Sequence, residues 1–99
     1  MLIDLSTSIE FSDENVVSKL LVNNADIDLV KIALQKNQSL NDHQSDCAIV
    51  LQCLDGAIEV RVDETISLIT KDSLLYLEKD SIHNINALED SILLIILVK

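Results

Sequence analysis

Two histidines, His43 and His83, are the side chains of this sequence best suited to chemistry near neutral pH. Each follows a polar stretch, residues 41–42 for the first and residues 78–81 for the second, and each is expected to open a strand. Because the sequence contains only these two imidazoles, we expect any acid–base or metal chemistry to lie between them.

Carboxylates surround both histidines in the sequence. The four nearest are Asp42, Asp46, Glu78 and Asp80. A carboxylate beside an imidazole orients it and raises its pKa, which suits a general acid or base. Alternatively, these acids are ordinary solvated loop residues. If they do surround a binding site, they disfavour anionic ligands unless a metal, Lys36 or Lys79 offsets their charge.

Short strands must position these residues, since β-branched and other aliphatic side chains dominate the chain and only Phe11 and Tyr76 are aromatic. Apolar runs between turn signals predict strands over residues 2–5, 17–22, 27–34, 48–54, 57–62, 65–69, 74–77, 83–87 and 91–98. Asp55 and Gly56 predict a hairpin between the two strands that they join. About nine to eleven short strands, with no convincing helix, predict a single all-β domain built as a sandwich or barrel.

Composition excludes several classes of function. The formal net charge of −10 and the scarcity of aromatic residues argue against binding to nucleic acid or to an anionic membrane surface. The most apolar run, residues 92–98, is far shorter than the roughly 20 residues of a spanning helix, and we expect a cytoplasmic protein. Cys47 and Cys53 are expected to be free thiols, because a disulfide would have to fold one strand back on itself.

The two histidines also fit the spacing of the two motifs of the cupin family. The residues at the positions of the first motif are Asn37, His43, Ser45, Ile49 and Gly56, and those of the second motif are Asp72, Glu78, Asp80, His83 and Ala87. The chain therefore resembles a small single-domain cupin over residues 17–99. The resemblance implies an RmlC-like jelly roll, also called a double-stranded β-helix, preceded by an N-terminal strand and connecting segment in residues 1–16.

The resemblance implies a divalent transition metal such as Zn, Fe, Ni or Mn, but only His43 and His83 remain of the four family ligands. A stable site takes three or four ligands, Ser45 is a poor one, and Ile49 cannot bind a metal. Strand alternation would point Cys47 inward with Ile49, so that its thiolate could be a third ligand. Alternatively, Cys47 is a small buried hydrophobe.

A ligand pocket is expected inside the barrel, with Tyr76 as one wall unless that ring belongs to the core. The residues predicted to line this pocket are His43, Ser45, Cys47, Ile49, Tyr76 and His83. The last apolar run lacks polar alternation, which indicates that both of its faces are buried and that a second subunit covers the outer one. We therefore expect a homodimer, across which residues 2–5 could add.

Two functions agree with these observations. In the first, the chain is a small cupin with a degenerate or absent metal site that binds a small molecule in the barrel. In the second, it is a metal-dependent enzyme of the dioxygenase or isomerase type that uses His43 and His83. A β protein that binds only a macromolecular partner is a third reading.

Overall fold

The computed structural model describes residues 1–6 and 8–99, except for the side chains of Asp42 and His43. Within these residues, strands account for all of the regular secondary structure. They are β1 (Val17–Asn23), β2 (Ile27–Leu34), β3 (Ser39–Gln44), β4 (Ala48–Asp55), β5 (Ala57–Val62), β6 (Thr65–Thr70), β7 (Leu74–Leu77), β8 (Ile82–Ala87) and β9 (Ser91–Val98). A helix long and apolar enough to cross a membrane does not occur in the described residues.

The described strands form two sheets that face each other. One has five strands in the order β1-β2-β9-β4-β7, and the other has four in the order β3-β8-β5-β6. All neighbouring strands are antiparallel. The chain passes repeatedly from one sheet to the other, which is the jelly-roll arrangement, so the predicted all-β class and architecture are confirmed.

The core lies between the sheets and is made by alternate residues of each strand. In β4 these residues are Ile49, Leu51 and Cys53, while Gln52 between them is exposed. In β8 they are His83, Ile85 and Ala87. This period of two is what a strand with one buried face requires.

The barrel has two ends that differ in their connections. At the Gly56 end lie the connections 35–38, 71–73 and 88–90 together with Gly56 itself. At the His83 end lie the connections 24–26, 45–47, 63–64 and 78–81. His83 and its neighbours therefore lie at the opposite end of β8 from Ala87, about 13 Å away at the usual rise per strand residue.

Gly56 makes a corner between the sheets and not the hairpin that the sequence predicts. β4 pairs with β7 and β9, whereas β5 pairs with β6 and β8. Gly56 has a φ of 89°, and a Cβ atom there would collide with Asp90 O and Ser91 Oγ. The Asp-Gly pair does mark a turn, but tertiary packing selects a corner because the fold crosses between sheets here.

Asn and Asp residues take left-handed backbone conformations in three other turns. Asn37 has a φ of 74°, Asp63 of 53° and Asp80 of 66°. These residue types tolerate this region better than other residues with a side chain do. The chain therefore makes its tight turns with only one glycine.

β3 is the strand that the sequence pattern missed. Residues 39–44 are largely polar and look like part of a loop, but they pair with β8 at the edge of the four-stranded sheet. An irregularity in the register between Leu40 and His43 marks a bulge. His43 therefore lies near the end of a strand and does not open one.

The predicted strand over residues 2–5 is wrong for the single chain. These residues form no strand, and Leu5 instead accepts a hydrogen bond at 3.0 Å from Nζ of Lys31 on the outer face of β2. Ser12 accepts another, at 2.7 Å, from the side-chain amide of Gln38. Residues 2–5 thus resemble a strand in sequence, but they pair with no strand, and a side chain of β2 binds the carbonyl group of Leu5.

Candidate functional site

The ladder between β3 and β8 brings the positions of the two histidines together. His43 is the register partner of His83, although 40 residues separate them in the sequence. On the other side of β8, His83 pairs with Val62 of β5. The expectation that the two histidine positions are close together is therefore met at the level of the backbone, and the side chain of His43 lies outside the described residues.

His83 is deeply buried, with 2% of its surface exposed. It shares the inner face of β8 with Ile85 and Ala87, both core residues. An imidazole in such surroundings is shielded from bulk water, which strengthens its interactions with any polar group that reaches it. His83 is thus the described side chain of the barrel interior best suited to chemistry.

Ser45 and Cys47 belong to the connection between β3 and β4, where strand alternation does not apply. The Ser45 hydroxyl accepts the backbone N–H of Cys47 at 3.0 Å, and the Ser45 carbonyl accepts the N–H of Asp80 at 2.7 Å. The Cys47 thiol, half-buried, donates to the carboxylate of exposed Asp46 at 3.5 Å. Strand alternation does not reach Cys47, because β4 begins only at Ala48, and its place in the ligand pocket stays a prediction.

Ile49 and Cys53 are core residues. They are 2% and 1% exposed, and both belong to the main hydrophobic cluster. The Cys53 thiol donates to the Asp55 carbonyl at 3.1 Å, and burial raises the pKa of this thiol above its ordinary value. A protonated, buried thiol is a weak nucleophile and a weak metal ligand, so Cys53 serves the packing of the core. Both cysteines are free thiols, as expected.

The described side chains do not fit the metal that the resemblance implies. Among them, three or more His, Cys, Asp or Glu residues nowhere come close enough to hold an ion. Position 49, where the family has a carboxylate, carries an isoleucine within the hydrophobic core. His83 is the one described member of the expected ligand pair, and one imidazole falls short of the three or four ligands of a stable site.

Three of the acids considered near the histidines are solvent-exposed. Asp46, Glu78 and Asp80 lie in the connections at the His83 end. The side-chain amide of Gln44 donates to the backbone carbonyl of Asp80 at 3.0 Å, which ties β3 to the connection before β8. These acids match the solvated reading, while the side chain of Asp42 lies outside the described residues. Lys36 is at the Gly56 end, too distant to offset charge near His83.

Tyr76 neither belongs to the core nor lies beside His83. Its ring lies on the outer face of the five-stranded sheet, because Leu75 and Leu77 on either side of it face inward and Tyr76 is 61% exposed. Tyr76 also lines a groove between β6 and β7. The sequence predicts that ring in the barrel because an apolar run of four residues does not reveal which alternate residues face inward.

A cavity of about 290 Å³ lies between the sheets, where edge strand β1 faces edge strand β3. The residues that line it are Val16, Ser18, Val30, Ile32, Leu40, Ile95 and Leu97. Leu40 is the register partner of Ile85, which follows His83 on the inner face of β8. None of these residues is predicted from the sequence to line a pocket, since each looks like an ordinary member of a strand or connection.

The fold agrees with solved structures of small proteins. An RmlC-like cupin protein from Desulfovibrio desulfuricans superposes with a TM-score of 0.89 at 18% identity, covering 99% of this chain and 95% of that one. A conserved protein of unknown function from Streptococcus pyogenes gives 0.87 at 21% identity, covering 100% and 87%. The chain has a cupin fold.

The similarity to these structures does not establish an activity for this chain. KdgF from a Halomonas species superposes with a TM-score of 0.77 at 14% identity, covering 88% of this chain and 82% of that one. At such identities a shared cupin fold says nothing about a shared reaction. No family model matches the sequence, and the comparison with curated proteins found no match.

Proposed function

We propose that this cupin binds a small, neutral, largely apolar molecule in the cavity between β1 and β3, without needing a metal. The lining carries this proposal: six of the seven residues are aliphatic, the seventh is Ser18, and none is charged. Binding cavities are mostly apolar with few polar groups that fix orientation, and about 290 Å³ suits a small ligand. The Ser18 hydroxyl would pair with one polar group of that ligand.

Charge supports a neutral ligand over an ion. The chain carries a formal net charge of −10, which repels anions at long range. A cation would lose its hydration in an apolar lining without gaining a carboxylate there. A neutral molecule incurs neither cost.

Binding of benzyl alcohol and cyclohexanol, followed by backbone amide shifts, tests this function. We expect shifts at Ser18, Val30 and Leu40, and we expect Val30→Phe to abolish them by filling the cavity. The matched control is Val22→Phe, because Val22 is also half-buried in this sheet but does not line the cavity. Melting curves confirm that both variants are folded, and Val30→Leu replaces Val30→Phe if the larger side chain prevents folding. Binding that survives filling of the cavity, or no binding by either alcohol, would contradict the proposal.

The metal-dependent enzyme remains a second candidate, because His43 and His83 are register partners. The imidazoles of these two residues could supply half of a site for Zn, Fe, Ni or Mn. Elemental analysis of protein purified without a chelating tag separates the two functions. Near-stoichiometric metal that His43→Ala removes would favour the enzyme, whereas no metal after soaking with all four ions would reject it.

We also propose that the chain forms a two-fold homodimer through the outer face of the five-stranded sheet. On this face, Lys31 and its register partner Leu94 are 5% and 7% exposed within one chain, and Lys31 donates to the Leu5 carbonyl. The same face continues across Ile96 and Val50 to Tyr76, which is largely exposed. A sedimentation mass of one chain at micromolar concentration would reject the dimer. A cytoplasmic location is likewise our proposal.

A further inference from the structure

A second depression lies on the opposite flank of the barrel from the proposed ligand cavity. It is a groove of about 350 Å³ between β6, the edge of the four-stranded sheet, and β7, the edge of the five-stranded sheet. Three apolar residues contribute to its lining: Val62, Leu75 and Leu77. Leu77 is 4% exposed and belongs to the core, so this part of the lining is held by the packing of both sheets.

Tyr76 of β7, together with polar residues of β6 and of the connections at this end, completes the lining. Those with carboxylates are Asp63, in the connection after β5, and Glu78, in the connection after β7, and both are exposed. Hydroxyl groups come from Thr65, Ser67 and Ser81. The Ser81 hydroxyl already donates to the Glu78 carbonyl at 2.7 Å, which leaves its oxygen free to accept a further hydrogen bond. The lining residues thus combine apolar surface with hydrogen-bond acceptors and include no Lys, Arg or His.

The sign of the charge selects the kind of ligand. Two carboxylates and no cation disfavour an anion at this groove, and the net charge of −10 acts in the same direction. A neutral molecule would gain nothing from the carboxylates. An organic cation with a short hydrocarbon body would place apolar surface on the aliphatic residues and its charge between Asp63 and Glu78.

We propose that the groove between β6 and β7 is a binding site for a small alkylammonium ion. The site is distinct from the cavity between β1 and β3, and it shares no lining residue with that cavity. It approaches the barrel interior at Val62, the register partner of buried His83. The cation site and the neutral-ligand site are therefore independent, and either can fail in an experiment while the other holds.

Titration with n-butylammonium, followed by backbone amide shifts, tests the site. We expect saturable shifts at Val62, Thr65, Ser67 and Leu77, weakened by added salt, and no such shifts with 1-butanol or butyrate. Glu78→Gln and Asp63→Asn should each weaken binding about two- to fivefold, because each removes one exposed charge pair. Asparagine also tolerates the positive φ of residue 63, so this substitution preserves the turn.

Asp72→Asn is the matched control, because Asp72 is an exposed carboxylate in the connection between β6 and β7 that does not line the groove. It should leave the affinity for butylammonium unchanged. Equal weakening by Asp72→Asn would mean general attraction to an acidic surface and would overturn the proposal. So would shifts that 1-butanol reproduces, or the absence of saturable shifts at the groove.

Discussion

The two ends of the barrel carry different kinds of hydrogen bond. At the Gly56 end, fully buried Ser91 accepts the Ala57 N–H at 3.1 Å and lies 2.7 Å from the Glu89 carbonyl, to which it donates. At the His83 end, Ser81 makes a similar bond to the Glu78 carbonyl, but in contact with solvent. Water can replace the second bond and not the first, so the Gly56 end should govern stability.

The same contrast extends to the backbone. Near the Gly56 end, Asn37 donates its N–H to Ala87 at 2.8 Å, and Leu88 donates to Ala57 at 3.0 Å, which ties the connections 35–38 and 88–90 to the ends of β8 and β5. At the His83 end, a corresponding bond joins Asp80 to Ser45 at 2.7 Å, next to exposed side chains. A rigid end and a more exposed end are a common arrangement in proteins whose loops bind ligands.

The largest effect is expected for Gly56→Ala. The added Cβ would meet Asp90 and Ser91, and the positive φ is itself costly for alanine, so we expect a loss of about 3 kcal/mol or more in the free energy of unfolding. Urea denaturation measures this loss, with Asp55→Asn, an exposed neighbour, as the control. A loss below about 1 kcal/mol would mean that the corner relaxes easily and that the two ends are alike.

Two serine substitutions compare the ends directly. Ser91→Ala leaves the partly buried N–H of Ala57 without this side-chain acceptor and should cost about 1–3 kcal/mol of unfolding free energy. Ser81→Ala removes an exposed bond and should change stability by no more than about 0.5 kcal/mol. Equal losses in parallel urea titrations would contradict the contrast.

The smallest effect concerns an ion pair at the His83 end and depends on pH. Lys99 Nζ lies 3.0 Å from Asp28, and hydrogen bonds from Lys99 and then Asn23 lower the pKa of the Asp28 carboxyl below its ordinary value of 3.8. The pair therefore stabilises the fold above that ordinary value, and its contribution is lost as the pH falls through the lowered pKa. Asp28→Asn should reduce the urea midpoint slightly at pH 7 and not at about pH 2. A difference that persists unchanged in acid would show that Asp28 acts through packing.

The sequence predicts most strands well and the site poorly, because strands have local signals whereas the site depends on contacts between distant strands. Strands 27–34, 57–62, 74–77 and 91–98 match the structure at both ends, because periodicity and turn residues are local signals. The sequence does not predict β3, because its residues are largely polar and only pairing with β8 makes them a strand. The sequence does not predict the cavity at Val30 and Leu40 either, since this cavity lies where two strands from different sheets meet.

Motif spacing predicts that the two histidines lie close together, which local patterns alone do not predict. It placed His43 and His83 at corresponding positions of two motifs, and the register of β3 and β8 makes them partners. Motif spacing could not place Cys47. Alternation in β4 starts at Ala48, where pairing with β9 begins, and the sequence does not show this starting point. Nor could it orient Tyr76, whose face depends on the register of β4 and β7.

The order of strands in the five-stranded sheet has a consequence for synthesis of the chain. β9 lies between β2 and β4. Each of these two strands therefore lacks one of its two neighbours until residues 91–98 have left the ribosome. Until then their backbone edges are open to pairing with other chains. The nascent protein can form the β1–β2 and β5–β6 hairpins early, but the barrel closes only when its ninth strand is inserted.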